Sequence, residues 1–107
     1  MIPEVQKKKL QSLRLRSAEI QNFNQETLEI INDVFKEYCL ILRRLHEKEP
    51  NIFRDFINHD ITELKQHVKS AKNNISGEIQ QENFSGYKDF LENSIDTAIE
   101  YITDYIQ

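Results

Sequence analysis

Between Pro3 and Pro50 the chain has neither glycine nor proline, and one apolar rhythm of three and four residues runs through the whole stretch. Leu10, Leu13, Ser17, Ile20, Asn24, Thr27, Ile31, Val34, Tyr38, Ile41 and Leu45 recur at the spacing that stacks side chains along one helical seam. Helices packed on helices follow from this pattern, and the expected class is all-α.

The chain has 107 residues, which suits one helical-bundle domain spanning residues 1–107 with a single modest core. Hydrophobic residues make up 38%, which fits slender helices that each bury one stripe. No run approaches the ~18 apolar residues of a membrane span, and the basic N-terminus is not followed by the apolar stretch of a signal peptide. A cytoplasmic protein that does not enter a membrane is the corresponding expectation. The lone Cys39 lies among Tyr38, Leu40, Ile41 and Leu42 and should pack as a small apolar side chain.

The formal net charge of −4 conceals a gradient. Residues 1–16 carry Lys7, Lys8, Lys9, Arg14 and Arg16 against Glu4, a balance of +4, whereas residues 75–107 carry Lys88 against seven carboxylates, a balance of −6. Such polarity predicts attraction between the two ends, within one molecule or between copies.

Four amphipathic segments are expected. The first runs from about Pro3 to Asn22, the second from about Gln25 to Glu47, the third from Pro50 to about Lys72, and the last from about Gly86 to Ile106. Asn22, Phe23 and Asn24 read as a break, with Asn24 capping the next helix. That break predicts an antiparallel four-helix bundle. The alternative is three helices, the first continuing unbroken to Glu47 and dimerising as a coiled coil with Asn24 in its seam. Pro50 disfavours helix at Glu49. Turn formers crowd the segment from Asn73 to Gly86, where Asn74 or Gly77 suits a helix end and Ser85 suits a cap, while Glu78 to Glu82, which has no breaker, leaves room for an extra turn of helix or a mobile loop.

Few residues suggest chemistry. Arg54 and His59 enclose four residues, an arrangement that resembles the motif of the HEPN ribonucleases and related toxins. That resemblance implies an RNA endonuclease in which arginine and histidine from two copies meet across a dimer. Many of those enzymes carry a tyrosine two residues beyond the histidine, where this chain has Ile61. His67, Val68, Lys69, Ser70 and Ala71 resemble the phosphoacceptor segment of histidine phosphotransfer domains, with Lys69 one residue closer than in that family. His46, His59 and His67 are too dispersed in sequence for a local metal box, and no Glu-x-x-His pair is present, so neither metal nor cofactor is expected.

The basic residues Lys7 to Lys9, Arg14 and Arg16 could meet nucleic-acid phosphates, yet few aromatics are interleaved with them and the chain is acidic overall. The pattern therefore predicts a non-enzymatic interaction module: an adaptor, an inhibitor or immunity-type protein, or an assembly subunit. Leu10, Leu13 and Ile20, flanked by Arg14 and Arg16, are the expected contact with a protein partner or a second copy.

Overall fold

A computed structural model describes residues 3–20, 24–72 and 77–106. The elements are α1 (Pro3–Ala18), α2 (Gln25–Lys48), α3 (Pro50–Asp55), a π-helical turn (Phe56–Asp60), α4 (Ile61–Lys72) and α5 (Gly77–Ile106), with no strand among the described residues. Helices α3 and α4 with the turn between them form one continuous arm. The fold is therefore all-α and four-membered, as the seam and its break require.

The break lies where the seam turns polar. Asn24 has extended backbone (φ −159, ψ 177). Its Oδ1 accepts from the Thr27 amide at 2.9 Å, while Thr27 Oγ1 accepts from the Asn24 amide at 2.8 Å. This reciprocal capping box satisfies donors that a helix start leaves open, so the two weakest seam positions serve as a helix boundary. The long first helix of the alternative fold is not formed. Phe23 and Asn22, expected to take part in the break, lie outside the described residues.

Paired contacts fix the helix directions. Arg16 meets Glu37 while Lys9 shares a groove with Arg44, so α1 and α2 run antiparallel. Arg14 reaches Asp96 and Ser17 reaches Glu92, which makes α1 and α5 antiparallel. Asp60 meets Ser94 and His67 stacks on Phe90, which sets the third arm antiparallel to α5. Across the diagonal, Asn32 binds Tyr87 and Tyr38 binds Ser94, so α2 and α5 run parallel. The result is an up-down-up-down bundle in which the α1–α2 side and the α4–α5 side are opposite faces. Helix α5 sets its length: 30 residues at ~1.5 Å per residue match the 46 Å long axis.

The core runs the length of the bundle and draws on every arm, including Leu10, Leu13, Ile31, Val34, Leu42, Phe53, Leu64, Leu91, Ile95 and Ile102. Two departures from the sequence reading occur. Helix α5 begins at Gly77, so Gly77 starts a helix instead of ending one, and Ser85 is an exposed mid-helix residue instead of a cap. Burial of Phe84 and Tyr87 on the same helical face accounts for the extension, because it outweighs the ~1 kcal/mol that a mid-helix Gly86 costs. Asn74, the other expected terminator, lies outside the described residues.

The second departure is the π-helical turn. The third arm buries Phe53 just before the turn, Phe56 at its first position, and Ile61 and Leu64 after it. In a straight α-helix Phe56 and Ile61, five residues apart, would diverge by ~140°. A wider turn absorbs the extra residue and returns both pairs to one stripe.

Two tyrosines sit wholly inside. The Tyr38 hydroxyl lies 2.5 Å from Ser94 Oγ, and the Tyr87 hydroxyl donates to Asn32 Oδ1 at 2.9 Å. Burial pushes both phenols well above their ordinary range, with Asp60 adding to the effect at Tyr38 and the Ser94 hydrogen bond opposing it. Burial likewise raises the Cys39 thiol, against the pull of Arg43 and Lys65. Cys39 is half-buried against the core and free, as expected for an unreactive packing residue.

These raised values make stability fall at alkaline pH. The folded state keeps its phenol protons while the unfolded chain releases them near pH ~10, so the contribution is complete below that point and is lost above it at up to ~1.4 kcal/mol per pH unit per tyrosine. Urea denaturation between roughly pH 8 and pH 11 should show this decline. Tyr38→Phe should make it shallower by about one proton.

Candidate functional site

The π-helical turn projects His59 and Asp60 from the third arm towards α5. Ser94 occupies a core position on α5, between Leu91 and Ala98, and its hydroxyl donates to Asp60 Oδ2 at 2.6 Å. Because Ser94 spends its proton on Asp60, the Tyr38 hydroxyl must donate to Ser94. The other Asp60 oxygen lies 3.1 Å from His59 Nδ1, and His59 Nε2 lies 3.3 Å from Glu63. A hydrogen-bonded chain therefore runs from the core to the surface, Tyr38 to Ser94 to Asp60 to His59, and it holds the Asp60 carboxylate in place.

Two adjoining recesses open around these residues. The larger, of about 590 Å³, is lined by Phe56, Asn58, His59, Asp60, Thr97 and Tyr101; the smaller, of about 230 Å³, shares His59, Asp60 and Thr97 and adds Phe90, Asn93 and Ser94. The Tyr101 ring meets Phe56 edge-on at 5.2 Å yet remains 44% exposed, so it gives the larger recess an apolar wall. Glu63 flanks the recesses through His59, and the exposed Glu100 and Asp104 follow on α5. The surroundings are acidic. The Thr97 hydroxyl donates to the Asn93 carbonyl at 2.9 Å and is not poised as a nucleophile.

The arginine and histidine of the nuclease-like motif both lie on the third arm, Arg54 in α3 and His59 in the π-helical turn. Arg54 is exposed, and the exposed His59 ring meets Asp60 and Glu63. An acidic recess of this kind repels a phosphodiester. His67, the residue expected from the phosphotransfer resemblance, is half-buried with its ring 5.2 Å from that of Phe90.

The expected contact residues on α1 divide. Leu10, Leu13 and Ile20 are buried in the core, so they are committed to the bundle and do not form a surface; their stripe is narrow because α1 packs chiefly against α2 and α5. Arg14 binds Glu92 at 2.8 Å and Asp96 at 3.0 Å, which brings the basic and acidic ends of the chain together within one molecule. Glu92, buried, also accepts from Ser17 at 2.8 Å and pairs with Lys88 at 2.7 Å. Arg16 alone remains at the surface, 3.6 Å from Glu37.

Arg16 belongs to a groove of about 300 Å³ between α1 and α2, lined by Lys9, Ser12, Arg16, Glu37, Leu40 and Arg44 together with the edges of Leu13 and Ile41. Three cations face one carboxylate there, and Leu40 is 51% exposed beside them. The sequence carried a signal for Leu40: the run Cys39, Leu40, Ile41, Leu42 is four apolar residues long, and a helix cannot bury all four against one neighbour. Ser94 was equally visible as a polar residue on the α5 stripe. Nothing in the sequence pairs it with Asp60.

No group of three or more metal-binding side chains converges among the described residues, and none of the described helices is long and apolar enough to cross a membrane. No protein-family model matches the chain, and no curated protein or solved structure is significantly similar to it.

Proposed function

We propose that this bundle is a non-enzymatic interaction module of the cytoplasm whose α1–α2 face docks a protein surface that is acidic and offers an apolar recess. The observation that carries this reading is Leu40, half-exposed in a groove rimmed by Lys9, Arg16 and Arg44. An exposed leucine supplies affinity once it is desolvated, and the surrounding cations select an acidic partner and hasten encounter. Each α1–α2 cation lies on a rigid helix held by the bundle core, so the face is preorganised.

The test is site-specific photo-crosslinking in the cell. A benzoylphenylalanine at position 40 should give a discrete adduct that disappears on Arg44→Glu. The same probe at Leu15, which is 65% exposed on α1 but outside the groove, should give none. Absence of the adduct at position 40, together with RNA cleavage by the purified protein that His59→Ala abolishes, would replace this reading with the nuclease one.

A further inference from the structure

We infer that the partner of the α1–α2 face is the α4–α5 face of a second copy of this chain, with Leu40 of one molecule seated against Tyr101 in the larger recess of the next. The inference rests on the interaction reading above and adds the identity of the partner.

Three observations support it. The first is apolar complementarity: a half-exposed leucine lies on one face, and on the other an aromatic-walled recess of about 590 Å³, several times the volume of a leucine side chain, is open in the single molecule. The second is charge. Lys9, Arg16 and Arg44, against the one carboxylate of Glu37, lie around the leucine, whereas Asp60 lines the recess and the exposed Glu100 and Asp104 lie on α5 within one turn of its Tyr101 wall. Like faces would bring like charges together, which disfavours a symmetric pair of either face and favours the unlike combination.

The third is geometry. The two faces are opposite sides of the four-helix ring, so one molecule can use both at once. Even the narrower side, 46 × 17 Å between Cα extremes, is of the order of the ~800 Å² that each partner contributes to a standard interface. A contact between different surfaces on opposite sides does not close on itself, so the product is an open chain of molecules and not a dimer. Because its rim is ionic, the association weakens as salt shortens the reach of charge.

The experiment is light scattering of the purified full chain across a concentration series at roughly 0.02 M and 0.5 M salt. At low salt the average mass should pass twice that of one chain as concentration rises, and at high salt it should return to one chain. Two variants each block one face. Leu40→Glu replaces the apolar contact with a negative charge. Glu100→Lys with Asp104→Lys reverses the rim of the recess at exposed sites near the α5 C-terminus, where cations suit the helix dipole.

Each variant alone should remain a single chain with wild-type helicity and thermal midpoint. An equal mixture should form a one-to-one pair and nothing larger, since only one productive contact survives. A wild-type chain that stays single at every concentration in low salt overturns the inference, as does growth that stops at two or a mixture that does not pair. If the wild type stays single while the position-40 probe captures a different protein, the interaction reading stands and only the self-assembly is lost.

Discussion

Phe84→Ala is expected to lower the unfolding free energy by about 3–5 kcal/mol in urea denaturation, the range for emptying a buried phenylalanine site. The ring is 1% exposed and belongs to the single buried cluster that runs through the bundle. Its position makes the measurement informative, because the residues around it carry glycine, serine and asparagine and resemble a loop. Were residues 77–85 a surface connection, truncating Phe84 would cost a few tenths of a kcal/mol, as surface substitutions do. Ser85→Ala is the companion measurement. A cap would lose about 1 kcal/mol on that change, whereas an exposed mid-helix serine should lose nothing or gain slightly, because alanine is the better helix former. A large loss at position 84 with none at position 85 identifies a buried helical segment already formed before Ser85.

Glu92→Ala is expected to cost about 3 kcal/mol, at the low end of the ~3–5 kcal/mol seen when one member of a buried ion pair is removed. The low end applies because Arg14 and Lys88 keep partial access to water and Arg14 retains Asp96. The buried Ser17 hydroxyl loses its acceptor in the same step. Arg16→Ala, by contrast, removes an exposed 3.6 Å pair with Glu37 and should change stability by well under ~1 kcal/mol. Denaturation midpoints at low and high salt separate the two. The Glu92 effect should persist in salt, and any Arg16 effect should disappear.

The residues that were legible in the sequence are those whose neighbours lie on the same helix. The seam from Leu10 to Leu45, the Asn24 boundary and the Pro50 junction each depend on spacing within about one turn, and each is found in the fold. Helix α5 was foreshortened because Gly77, Ser85 and Gly86 signal turns locally, whereas the burial of Phe84 that overrides them is a tertiary effect. The contact surface of α1 was misplaced for a similar reason. A narrow apolar stripe looks the same in sequence whether it faces a partner or sits at a bundle corner between two helices, and only the positions of α2 and α5 decide that Leu10, Leu13 and Ile20 face inward.

The recess at Tyr101 depends on pairs more than thirty residues apart in sequence, Asp60 with Ser94 and Phe56 with Tyr101, so no local pattern announced it. The neighbours that the fold gives His59 include Asp60 and Glu63, the first adjacent in sequence and the second one helical turn on.

The widened turn at Phe56–Asp60 has a consequence for how this chain tolerates change in length. Deleting one residue there would give a plain α-helix with no loss of hydrogen bonding, yet it would also flatten the shelf that carries the imidazole and the carboxylate. Inserting a further residue elsewhere in the same arm would find no such slack and would swing Leu64 and Val68 away from the interior by ~100°. That arm is thus elastic at one place only, and the place coincides with the mouth of the hollow beside Tyr101.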